Sequence, residues 1–340
     1  MSQFLPSVER AKECRLAMDA SLWSSARELI DALPPVRDQG DGASEAGGPA
    51  RMLDYGAYFD LALVPPTLDE VPHEARQEAA AHLRRRLAQD VASHLVPSPP
   101  RISAFSKSDY TPAQIERFRR WWDIEPANHM AMIEPTEDDV ARARRIIPDA
   151  LARLHDAAPE LHDETLIIVR DIVISRPDGI NNLINYSGAS SFALWGGLTV
   201  NGETHHEWIQ FLRQIVHEAG HNLLFAIARD EPLVTNDPSE RAASAIRADL
   251  RPMDGVYHAA FVTAREVFAF EALLCRHEET GNLSEDDLRI VEDLLVLSVT
   301  NFWSCGETLR TGGARLTGLG EAVLSDCENW MRENFAIEPA

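Results

Sequence analysis

The segment WIQFLRQIVHEAGHNLLFAIA, residues 208–228, is the stretch of this chain with the fewest structural solutions. Its apolar residues Trp208, Leu212, Ile215, Ala219 and Leu223 recur at helical spacing. Gln210, Gln214, His217 and His221 form a second, polar stripe on the same helix. Such a stripe on a largely apolar helix implies burial on several sides, with one face lining a cavity. His217 and His221 lie four residues apart, one above the other on that face, where both can reach one metal ion. Glu218 leaves the helix about 100° further round, placed for acid–base work or for orienting a ligand.

Composition narrows the setting. The chain has 340 residues, 45% of them hydrophobic, enough for one large core or two smaller ones. No apolar run is long enough to cross a membrane, and the first twelve residues already carry Glu9, Arg10 and Lys12 instead of a signal-peptide core. The expectation is a cytoplasmic protein without a membrane partner. Cys14, Cys275, Cys305 and Cys327 are scattered and make no CxxC pair, so they read as small buried hydrophobes. A formal charge of −22 argues against nucleic acid as a partner and favours a basic or neutral substrate.

Two regions are expected along the chain, an N-terminal helical region over 1–100 that could recognise a peptide and a metal-binding catalytic domain over 101–340. Residues 7–33 read as a helix stopped by Pro34-Pro35, 36–50 as a Gly/Asp/Ala-rich loop and 73–96 as a helix with Arg84, Arg85 and Arg86 on a solvated face. VPSPPRIS, 96–103, reads as a linker. Helices are expected over 113–123, where Trp121 and Trp122 read as core or interface anchors, and over 136–156. Thr165 to Ser175 and Phe192 to Val200 read as strands, and Asn201-Gly202 as a turn. Helices follow over 260–279 and 284–302. The fold class is mainly α with a small β-sheet (α+β), in a zincin-like arrangement with the HExxH helix beside an edge strand that an extended peptide can join.

Two histidines need a third protein ligand. The longer pattern HExxHxxGxxH fails, because Leu224 and Ile227 stand at its glycine and last histidine. Three residues downstream are candidates. Glu240 lies nineteen residues after His221, the spacing of glutamate-ligand zinc peptidases, although Asp237-Pro238-Ser239 before it reads as a helix start that favours Glu for its own reasons. Glu266 sits on the next helix. His258 lies just before the apolar helical stretch AAFVTAREVFAF.

HEAGHNLL (217–224) followed by RADLRPMDGVYHAAFV (247–262) resembles the HExxH proteins of ribosomal-peptide biosynthetic clusters. Members of that family are iron(II)- and 2-oxoglutarate-dependent peptide β-hydroxylases. The resemblance covers roughly residues 190–265. It implies a dioxygenase that uses O₂ and 2-oxoglutarate to hydroxylate a side-chain Cβ of a precursor peptide. It implies His217, His221 and His258 as iron ligands, Arg247 or Arg251 as the partner of the distal carboxylate of 2-oxoglutarate, and Glu218 as a residue that orients a ligand or a water. The chemistry agrees. Three neutral ligands leave room on iron(II) for a bidentate 2-oxo acid and O₂, and a dianion calls for an arginine fork. Arg251 is preferred because Pro252 restricts it to extended backbone. The alternatives are a zinc metallopeptidase, in which Glu240 completes the set and Glu218 is the general base, and a non-catalytic peptide-binding protein.

Overall fold

The computed structural model describes residues 2–32, 55–56, 58–60, 74, 81, 95–122, 131–179, 186–244 and 247–335. The loop expected over 36–50 and nearly all of the helix expected over 73–96 lie outside them. The chain divides into two units that interleave in sequence. One comprises Met1–Ala11, Ile146–Thr165 and Glu207–Ala340; the other comprises Lys12–Arg145 and Leu166–His206. Both draw on residues from either side of position 100. The protein is mainly helical with a small mixed sheet, as composition and periodicity indicate.

The helices begin where the sequence supplies caps. Helix α1 (Val8–Ala32) follows Ser7, whose hydroxyl accepts from the Arg10 N–H. Helix α2 (Pro112–Trp122) opens with proline in its first turn, where a missing N–H costs nothing. Thr136 and Asp139 cap α3 (Glu137–Ala157) reciprocally, each side chain accepting from the other's N–H at 3.3 and 2.9 Å.

The sheet lies in the unit formed by Lys12–Arg145 and Leu166–His206. Strands β1 (Arg101–Ala104), β3 (Asp171–Pro177) and β5 (Gly197–Asn201) run parallel, with β3 in the middle. The short strands β2 (Met132–Ile133) and β4 (Gly188–Ala189) pair antiparallel with β3 and β5. Ile172, Val173 and Ile174 are fully buried, as a central parallel strand covered on both faces requires. Ser175 Oγ meets Tyr186 Oη at 2.6 Å and Thr199 Oγ1 at 2.8 Å, so the hydroxyls inside this sheet are satisfied by one another. Trp121 and Trp122 are buried with Phe105, Tyr110 and Phe118, the core role expected of them.

Several boundaries differ from expectation. The linker expected over 96–103 gives way to β1 at Arg101, because its backbone finds a partner in β3, with Arg101 opposite Asp171. The apolar run expected as a strand from Thr165 instead closes helix α4 (Pro159–Ile168), and β3 starts only at Asp171. An apolar run this short has no periodicity that separates buried helix from buried strand. What ends α4 is a tertiary contact. The buried Arg15 guanidinium donates to the carbonyls of Ile167 (3.0 Å) and Ile168 (2.5 Å) while lying 4.0 Å over the Trp195 ring. Phe192–Leu194 is a 3₁₀ turn capped by Ser191, and Gly196 at φ 89° turns the chain into β5.

The other unit is helical. Helix α5 (Trp208–Ile227) is followed by a hairpin of β6 (Arg241–Ser244) and β7 (Arg247–Pro252), which leads directly into α6 (Met253–Thr280), α7 (Glu285–Thr311) and α8 (Gly318–Asn334). Ser284 caps α7 by accepting from the Asp287 N–H, and left-handed Gly281 ends α6. The apolar core here joins α3, α5, α6 and α7 through Leu154, Leu212, Val216, Phe270 and Val291. No helix among the described residues is long and apolar enough to cross a membrane.

Candidate metal centre

Helix α5 is buried on most of its surface, and its exposed or half-buried positions are Gln210, Arg213, Gln214, His217, His221, Phe225 and Ile227. The polar stripe read from the sequence is therefore present. Glu218 is buried on another face, and its Oε1 accepts from Gln214 Nε2 at 2.7 Å. Gly220 is the reason α6 can approach here. A Cβ on it would lie 3.1 Å from Val262 Cγ1, closer than ordinary van der Waals contact. Val262 is one turn after His258, so this close crossing brings α6 alongside the second histidine of the motif.

His258 does not precede its helix, as the sequence suggests, but lies inside α6, which starts at Met253. His221 Nδ1 and His258 Nδ1 are 3.0 Å apart, and their rings stack at 5.2 Å with 22° between planes. Phe225 packs on His258 at 5.1 Å. The His217 ring lies 5.0 Å from that of His221 at 72°. His217 Nδ1 is 2.9 Å from Glu266 Oε1, which also accepts from Arg213 Nε at 3.3 Å, while Ser298 Oγ donates to Oε2 at 2.7 Å.

Charges follow from these contacts. Burial disfavours the His217 cation, but the hydrogen bond and charge of Glu266 outweigh it and raise the pKa above that of an ordinary imidazole. Burial would raise Glu266, yet the His217 and Arg213 contacts keep it below the usual carboxylate value, hence ionised. Burial lowers His258; Asp254 opposes this and the Arg251 charge adds to it. His258 is thus held neutral, the form that binds a metal.

The other candidates separate clearly. Asp237-Pro238-Ser239 forms a turn into β6 rather than a helix start. Glu240 after it is exposed, its carboxylate gripped by Arg315 at 2.6 and 3.1 Å and by Asn236. Arg315 chiefly, with Asn236, holds its pKa down to about 2. Glu266 is a partner of His217. Arg251 lies in β7 opposite Ala242, with its Nε and Cζ 3.3 and 3.4 Å from the position of a Gly255 Cβ, so the guanidinium crosses the first turn of α6. Arg247 pairs with Ser244 in the same hairpin; its side chain lies outside the described residues.

The His221–His258 pair has a spacing that suits a transition metal. Two nitrogens bound at about 2.1 Å and about 90° apart would sit about 3.0 Å from each other, the separation of the His221–His258 pair. The ligand atoms of His217, His221 and His258 do not all come within 4.8 Å of one another. Among the described residues one group of three does, namely His155, His162 and Asp163, where His162 Nδ1 is 2.8 Å from Asp163 Oδ1 and His155 is exposed. Arg213, Gly220 and Ser298 were not singled out in the sequence. Ser298 had a signal, a lone small polar residue in the apolar run LLVLSV of α7.

The close crossing at Gly220 is testable. Gly220→Ala is expected to gain about 1 kcal/mol of helix propensity and to lose about 1–3 kcal/mol to overpacking against Val262. A net fall in the denaturation midpoint is expected, reversed when Val262→Ala is added. Additive effects of the two changes would rule out this contact as the cause.

No protein-family model and no curated protein matches the chain.

Proposed function

We propose that this protein is an iron(II)- and 2-oxoglutarate-dependent oxygenase that hydroxylates a side-chain Cβ of a ribosomally made precursor peptide. The observation that carries the reading is the 3.0 Å approach of His258 to His221, with the Arg251 side chain against Gly255, three residues before His258. It favours three imidazoles over the peptidase set, because Glu240 is taken up by Arg315. His217, His221 and His258 would hold the ion. When bound, iron(II) with 2-oxoglutarate supplies O₂ activation and hydrogen abstraction, chemistry outside the reach of amino-acid side chains. Arg251 binds the distal carboxylate of 2-oxoglutarate and keeps the co-substrate beside His258. Glu266 orients His217, and buried Glu218 fixes Gln214 on the same helix. The acidic chain selects a basic or neutral peptide. The two-stranded β6–β7 hairpin offers main-chain groups to such a peptide.

The test is intact-peptide mass spectrometry. One added oxygen on an uncleaved chain is expected, dependent on O₂, iron(II) and 2-oxoglutarate, with succinate formed. Cleavage without 2-oxoglutarate would show a peptidase instead. Within the same reading, Arg251→Ala removes a charge-assisted bidentate partner and is expected to weaken 2-oxoglutarate about 10–100-fold. An anaerobic titration followed by the iron charge-transfer band measures this. Unchanged affinity in both Arg251→Ala and Arg247→Ala removes the arginine assignment.

A further inference from the structure

Glu266 stands out as a buried carboxylate at the meeting of three helices. It is 1% exposed, lies mid-way along α6, and is hydrogen-bonded by side chains of two other helices. Arg213 and His217, one turn apart on α5, both reach Oε1; Ser298 on α7 reaches Oε2. Burying an ionised carboxylate requires a compensating charge and satisfied lone pairs. Arg213 supplies the charge at 3.3 Å and Ser298 fills the far oxygen. In its deprotonated form His217 still satisfies Glu266, through Nδ1–H alone. A neutral imidazole has one N–H, so donation from Nδ1 leaves Nε2 as the bare nitrogen.

We propose that Glu266 is the positioning residue of the metal centre: held by Arg213 and Ser298, its carboxylate fixes the ring and tautomer of His217 so that Nε2 is the nitrogen offered to the ion. This rests on reading His217 as a metal ligand. Glu266 is not itself a ligand, because both of its oxygens are engaged by donors within the protein. The arrangement also accounts for Ser298, the polar residue that interrupts an apolar run of α7. An ordinary buried ion pair needs only Arg213 and Glu266. The histidine at 2.9 Å, closer to the carboxylate than the arginine, is what gives the group a direction.

Two measurements test this. The first needs no metal. In the ¹⁵N spectrum of metal-free, histidine-labelled protein at alkaline pH, the signals lost in His217→Gln are expected to show Nδ1 protonated and Nε2 bare. An Nε2–H tautomer overturns the proposal. The second is a titration with cobalt(II), read by absorbance. A glutamine at 266 has the same shape, can accept from His217 and donate to Ser298, and lacks the charge. Glu266→Gln is expected to weaken cobalt(II) about 10–100-fold, and Ser298→Ala by a smaller factor in the same direction. Ser298→Ala keeps the buried ion pair, so it reports even where Glu266→Gln fails to fold. Cobalt(II) uptake unchanged by the substitutions overturns this role for Glu266 alone. A wild-type protein that takes up no cobalt(II) overturns the metal reading itself.

Discussion

Replacing His258 by alanine is expected to lower metal affinity by more than about a hundredfold, beyond the roughly 10–100-fold typical of residues that only orient a ligand. Glu240→Ala is expected to change it little. The contrast follows from geometry. His258 faces His221 at 3.0 Å from inside α6, held neutral by burial, whereas the Glu240 carboxylate is exposed and bound by Arg315. Metal content after reconstitution and dialysis, measured on both variants, decides the matter. If Glu240→Ala loses the metal and His258→Ala keeps it, the three-histidine set is wrong and the zinc peptidase reading gains. Both variants are expected to fold. Glu240 lies at the surface, and the His258 ring leaves a small gap beside Phe225 rather than an orphaned charge.

The second large effect is on stability. Glu164 is 2% exposed and joins Arg10, at 2.6 Å, to the fully enclosed Arg265 of α6, which also donates to the Phe4 carbonyl. The same carboxylate accepts from the Ser7 N–H at 2.9 Å. One glutamate thus ties the start of α1 and the residues before it to α6. Phe4 lies beneath, edge-on to Phe261 at 6.4 Å. Removing Glu164 leaves two buried guanidinium groups without their common anion, and breaking such a pair from one side costs about 3–5 kcal/mol. Glu164→Ala is therefore expected to cost several kcal/mol in denaturant unfolding, a large share of the stability of a domain of this size. Glu164→Gln, which keeps the hydrogen bonds without the charge, is expected to cost less. A loss below about 1 kcal/mol in Glu164→Ala would mean that water replaces the carboxylate and that the network contributes little.

Much of the site is legible in the residues themselves. A 3.6-residue period with two histidines four apart is a local property, and the HExxH helix and its polar stripe are found where it puts them. The caps at Ser7, Thr136 and Ser284 are local as well, and the helices they start fall where the sequence puts them. The mainly α class follows from these, because most of the long helices declare themselves within their own windows, α8 being one that is not read from the sequence.

What the tertiary structure decided depends on residues far apart in the chain. Whether TLIIV ends a helix or begins a strand was settled by Arg15, more than 150 residues earlier, which takes the carbonyls of Ile167 and Ile168. That His258, and not Glu240, lies beside His221 depends on Gly220 against Val262, a contact that lets α6 lie close to α5, and on Arg315, which occupies Glu240. Glu266 passed from candidate ligand to partner of His217 because Arg213 and Ser298 already hold it. Local sequence lists the groups able to bind a metal. Which of them meet is fixed by helix packing and by the competing partners that long-range contacts supply, and neither is encoded in spacing.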